Sequence, residues 1–133
     1  MSLTTEDRIE IQDLMGRFSY AVDVLGPDAY RDIFVEDCRF IIEAWQIDVK
    51  GLDNIINWIK ESAETSFPLG LIHVQSNFVI DGDGNEAQLK CVSQAIQSHD
   101  GEIKHFVVGR YDETLVKTPK GWRLKVHRLQ VLV

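Results

Sequence analysis

Four long runs of alternating apolar and polar residues fill the second half of the chain: Leu71 to Ile80, Glu86 to Ser98, Ile103 to Lys117 and Trp122 to Val133. Between them stand Asp81-Gly82-Asp83-Gly84-Asn85, Asp100-Gly101 and Thr118-Pro119-Lys120-Gly121, residue types that supply a positive φ or a preset turn. A two-residue period interrupted by such turns predicts hairpins, so consecutive strands neighbour one another in an antiparallel sheet.

The first half reads differently. Ile11, Leu14, Met15, Phe18, Ala21 and Val22 recur at three and four residues after a Thr4 or Thr5 cap, which predicts a helix closed by Gly26-Pro27. Pro27 opens a shorter helix through Phe34, Cys38 to Ile42 and Trp45 to Val49 read as short strands about a Glu43-Ala44 turn, and Gly51 to Glu64 is a third helix with Leu52, Ile55, Ile56, Ile59 and Ala63 as its stripe. Helices first and strands after predict an α+β fold, a curved, mostly antiparallel sheet wrapped around the N-terminal helices. At 133 residues this is one domain spanning 1–133.

Composition narrows the function. A net charge of −7 without a basic cluster argues against a nucleic-acid partner, and no apolar run reaches the roughly 18 residues of a membrane span. The absence of a basic-then-apolar leader makes a cytoplasmic location the expectation. Cys38 and Cys91 sit in apolar contexts and read as buried free thiols, while His73, His99, His105 and His127 lack metal-site spacing, so neither metal nor cofactor is expected.

The informative residues are those out of phase with their elements. The face of Leu71-Ile72-His73-Val74-Gln75-Ser76-Asn77 holding Ile72, Val74, Phe78 and Ile80 is apolar, whereas His73, Gln75 and Asn77 lie on the other, open to water or a pocket. Arg128 falls in phase with Trp122, Leu124 and Val126. Turned inward it needs a carboxylate or an anionic ligand; turned outward it reaches solvent. Asp23 sits at the edge of the first helix's stripe, near a C-terminus that disfavours an acid, so it either meets a cation such as Arg128 or a histidine or begins a polar turn. His105 and Tyr111 lie on one face of their strand, where they can line a pocket or meet solvent. The small residues Ala87, Leu89, Cys91, Ser93 and Ala95 leave room for a cavity or for close packing.

The succession of Ile11-Gln12-Asp13-Leu14, Tyr20-Ala21-Val22-Asp23, Asp28 to Asp37, Gly51, Ile72-His73, Ser76-Asn77, Gly109-Arg110-Tyr111-Asp112 and Gly121-Trp122-Arg123 with Arg128 resembles the SnoaL-like domains of the nuclear transport factor two superfamily, whose fold is a cone. Among its members, hexachlorocyclohexane dehydrochlorinase and scytalone dehydratase look most similar in motif. The resemblance implies a histidine–aspartate pair at His73 and Asp23, a pocket arginine at Arg128, and proton removal from carbon without a cofactor. The chain departs at Phe18, where the dehydrochlorinase has a lysine, and at Val22 and Ile42, where the dehydratase has tyrosines. Neither specific activity therefore transfers.

The expectation is a lyase or isomerase acting on a small hydrophobic organic ligand, with Tyr20, Trp45, Asn77, Phe106 and Tyr111 as walls. The alternative is a ligand-binding or oligomerisation module of the same fold. A His73–Asp23 separation of about 3 Å beside a ligand-sized cavity favours the first. Apolar residues on the outer strand faces lead to a homo-oligomer, dimer or trimer, as a further expectation.

Overall fold

The computed structural model describes residues 2–62 and 70–133. Helix α1 (Thr5–Tyr20) continues through a π-helical turn (Ala21–Leu25) into a 3-10 segment (Pro27–Asp32). Strands β1 (Phe34–Ile42) and β2 (Ile47–Lys50) flank a 3-10 turn at Glu43–Trp45, and α2 (Leu52–Ser62) follows. The chain ends in β3 (Leu71–Gly82), β4 (Glu86–His99), β5 (Glu102–Thr118) and β6 (Gly121–Val131). Ala63 and Glu64, the last residues of the expected third helix, lie outside the described residues. Among those described, no helix is long and apolar enough to cross a membrane.

The six strands form one sheet in the order β2-β1-β6-β5-β4-β3. The C-terminal hairpins are antiparallel as expected, and Asp100 and Gly101 take φ of 50° and 79°, the left-handed pair that a two-residue hairpin turn needs. One pairing departs from the meander. β1 lies parallel to β6, which places the strands after the first helices beside the last strand and closes the sheet over α1 and α2.

Bulges in β3, β5 and β6 decide which of their side chains face inward, because one extra residue reverses the alternation beyond it. In β3 the register slips between Ser76 and Val79, and Asn77, at φ 60°, takes the left-handed conformation that asparagine tolerates. The inward residues are therefore Leu71, His73 and Gln75 before the slip and Phe78 and Ile80 after it. Ile72 and Val74, which alternation placed on the packing face, are 51% and 40% exposed. In β5 the extra residue is Phe106, between the pairs Ala95–Val107 and Ile96–His105. In β6 it is Lys125, between Leu115–Leu124 and Thr114–Val126. Trp122 and Leu124 point in before that slip, and His127, in phase with Leu129 and Val131, after it.

The core under the sheet includes Ile11, Met15, Phe18, Ile55, Leu89, Leu115, Trp122 and Leu124. Cys38 and Cys91 are buried free thiols, and burial raises them to about 11 and about 12. Asp7 joins α1 to the hairpin β5–β6. It accepts from the Thr4 backbone N–H at 3.0 Å, closing a capping box, and from Trp122 Nε1 and Lys117 Nζ, both at 3.0 Å. Gln75 ties β3 to the same helix by donating to the Met15 carbonyl at 2.9 Å and the Ser19 hydroxyl at 2.6 Å.

The Thr4 backbone N–H, then Trp122 and Lys117, hold the Asp7 carboxyl well below its ordinary 3.8. A depressed carboxyl contributes stability that is fully present above its unfolded value, near pH 4, and is lost as the pH falls toward the folded one. Asp7→Asn therefore unfolds at lower urea than the parent at neutral pH. The gap between the two narrows below about pH 4, as denaturation at stepped pH measures.

Candidate functional site

A cavity of about 300 Å³ opens between the concave face of the sheet and the α1–π-turn segment. Its walls are largely aromatic and aliphatic: Phe18, Tyr30, Phe40, Trp58, Val107 and Tyr111 are among them. Ser93 and Ala95 also border it, so the small-residue face of β4 does leave room for the space. Trp45 and Phe106 stand partly exposed on the same wall, their ring centroids 6.5 Å apart.

Asp23 reaches this cavity because α1 does not end as an α-helix. The Gly26 amide bonds back to the Ala21 carbonyl at 2.9 Å, closing a five-residue π turn. A wider turn advances each residue by less than the 100° of an α-helix, and π turns recur at functional sites for this reason. His73 lies opposite on β3, one of the two edge strands of the sheet, where alternate backbone N–H groups have no neighbouring strand.

Asp23 takes up both groups that His73 offers. Its Oδ2 accepts from the His73 backbone N–H at 2.9 Å, and its Oδ1 lies 2.6 Å from Nδ1 of the ring. Two N–H donors offset the unfavourable position of an acid at a helix C-terminus. A carboxylate only accepts, so the ring proton sits on Nδ1 in the neutral imidazole. Nε2 has no hydrogen-bond partner among the described residues, and the ring borders the cavity. The pair is largely shielded from water, with side-chain exposures of 19% and 11%.

A second histidine is deeper. His127 is 2% exposed and borders the cavity, and its Nδ1 lies 2.8 and 2.9 Å from the two oxygens of a wholly buried Glu113. Phe18, Phe40 and Tyr111 surround the ring at centroid distances of 4.9, 4.6 and 4.6 Å. Burial raises the Glu113 carboxyl, with His127 opposing. Burial also raises the phenols of Tyr30 and Tyr111 far enough to keep both protonated, with Ser93 opposing the shift at Tyr111.

Of the wall residues expected from sequence, Trp45, Phe106 and Tyr111 line the cavity. Tyr20 does not: it is 67% exposed at the end of α1. Asn77 is spent on the β3 bulge and faces solvent. Arg128 does not line the cavity either. The Lys125 slip turns it out of the cavity, where it pairs with Glu43 rather than Asp23. His105 lies on the outer face, exposed, with Nε2 3.1 Å from Gln94 Oε1. The reading from sequence missed His127 and Glu113. The available signal was Glu113, a charged residue in phase with Tyr111 and Leu115 on the apolar face of its strand.

The SnoaL-like domain model matches residues 3–128. An uncharacterised protein of Mycobacterium tuberculosis is 29% identical over 124 residues, covering 89% of this chain and 80% of the relative. Among solved structures, a cystatin-like protein of unknown function from Nostoc punctiforme superposes with a TM-score of 0.88 at 22% identity, covering 99% of this chain and 96% of that one. A candidate scytalone dehydratase from Novosphingobium aromaticivorans superposes with a TM-score of 0.79 at 28% identity, covering 98% and 89%. With a six-stranded sheet over its helices, a cystatin-like fold and a family match across nearly its whole length, the chain belongs to the SnoaL-like domain family.

Proposed function

We propose that the protein is a cofactor-independent lyase or isomerase that takes a proton from carbon in a small, largely apolar molecule, with His73 as the base. The observation that carries this reading is the 2.6 Å contact between His73 Nδ1 and Asp23 Oδ1 at the wall of a cavity of about 300 Å³. Asp23 holds the ring in the tautomer whose Nε2 lone pair is free. It also stabilises the imidazolium that forms when Nε2 takes the proton. Apolar walls strengthen that interaction by excluding water, and they bind the hydrocarbon part of the substrate. The candidate dehydratase among the similar structures supports the same reaction class. Arg128, paired with Glu43 outside the cavity, has no part in the step.

The test is proton exchange in deuterium oxide with a panel of cyclic ketones, hydroxylated ring compounds and halogenated hydrocarbons, followed by loss of C–H signals in NMR. A substrate found this way exchanges or reacts about 10²- to 10⁴-fold more slowly with His73→Ala, and Asp23→Asn is impaired in the same direction. Full activity in His73→Ala overturns the reading in favour of a cavity that only binds.

The cavity itself has a separate test. Ala95 is buried at its wall, so Ala95→Phe fills space rather than displacing core. The variant loses binding of an environment-sensitive apolar dye while its stability holds or rises by about 0.5–2 kcal/mol, as urea denaturation measures.

A further inference from the structure

We propose that His127, held by Glu113, is a second polar anchor of the cavity, one that hydrogen-bonds an oxygen of the bound molecule, so that the site takes oxygenated ring compounds in preference to plain or halogenated hydrocarbons. The recognition of oxygen stands on the geometry of this pair; its place in a reaction rests on the reading of His73 as the base.

Glu113 lies behind His127, away from the cavity wall, and both its oxygens face Nδ1. The ring is thereby fixed with a proton on Nδ1, and its other nitrogen is left for whatever fills the cavity. Nε2 has no hydrogen-bond partner among the described residues, and the ring borders the cavity. Phe18, Phe40 and Tyr111 offer the ring only aromatic contacts. A polar atom so placed loses free energy unless water or a ligand atom meets it, and an oxygen on a bound ring does so where a methyl or a halogen does not. The fold does not require the pair either. Apolar residues of similar volume in place of a buried ionic pair are often neutral or stabilising, so the neighbours of His127 explain its packing but not its chemistry.

The pair also separates two eliminations. A halide leaves as an anion and takes no proton, whereas a hydroxyl group leaves readily only when protonated. In the dehydration His127 first takes up a proton from solvent on Nε2, and His73 Nε2 takes the proton from carbon while the C–H electron pair becomes the new C=C bond. The C–O bond breaks with its electrons on oxygen, the oxygen takes the proton from His127 Nε2, and water departs. His73 then releases its proton to solvent, and both rings are neutral again.

The test uses 2-naphthol and 2-methylnaphthalene, two probes of nearly equal shape that differ in a hydroxyl. Titration calorimetry on the intact protein gives at least about ten-fold tighter binding of the naphthol; His127→Phe abolishes that preference, and His73→Ala keeps it. Because His127→Phe replaces a buried residue, the parent protein supplies a second readout: the ¹⁵N signals of the His127 ring move on adding the naphthol and stay put with the hydrocarbon. Equal affinity of the parent for the two probes, a preference that survives in His127→Phe, or a naphthol shift confined to His73 overturns the inference. Failure of the His73 reading looks different, since carbon-proton exchange is then absent while the preference for oxygen persists.

Discussion

A β-strand shows only every second side chain to one face, and this constraint sets the content of the cavity. Strict alternation along β6 would carry Arg128 inward with Trp122 and Leu124 and leave His127 in solvent. One extra residue, Lys125, reverses that assignment and exchanges a permanent cation for a titratable ring. The slip at Asn77 does comparable work in β3, where it lets His73 and Gln75 face inward in the first half and Phe78 and Ile80 in the second. Bulges of this kind also bend their strands, which is what a sheet folded over helices requires.

The inward face then holds two imidazole–carboxylate pairs in apolar surroundings, built in opposite ways. Asp23 comes from a helix end and His73 from an edge strand, so the first pair bridges two layers and stays partly reachable from outside. Glu113 and His127 come from neighbouring strands, with the carboxyl wholly buried and the imidazole set among aromatic rings at the cavity wall. Desolvation is costly for either carboxylate, and each is met by N–H donors: the His73 ring and backbone for Asp23, the His127 ring and, at 3.3 Å, the Arg128 backbone for Glu113. Outside the cavity, the contacts of Asp7 pin the start of α1 to the β5–β6 hairpin, which anchors the helix whose far end delivers Asp23.

Much of this architecture is legible in the sequence, because the order of elements depends on periodicity and on turn residues such as Asp100-Gly101 that few conformations satisfy. The site is less so. His73 and Asp23 came together through family resemblance, since a wheel of constant pitch leaves Asp23 at the stripe's edge and only the π turn carries it to the cavity. Asn77 and Arg128 depart from their expected places for one reason, that strand parity is a local assumption which one inserted residue cancels, while Tyr20 ends the regular part of α1 on its exposed side. His127 went unnoticed because it stood on the face that parity assigned to solvent, although Glu113 opposite it was out of character for its strand.

The central claim is that Asp23 fixes His73 with its proton on Nδ1 and a free lone pair on Nε2. Long-range proton–nitrogen correlation NMR of the histidine rings at neutral pH measures this directly. For His73 the account predicts a protonated Nδ1 and an unprotonated Nε2, a distinction that weakens in Asp23→Asn. A His73 ring protonated on Nε2, or one indifferent to Asp23→Asn, would contradict it.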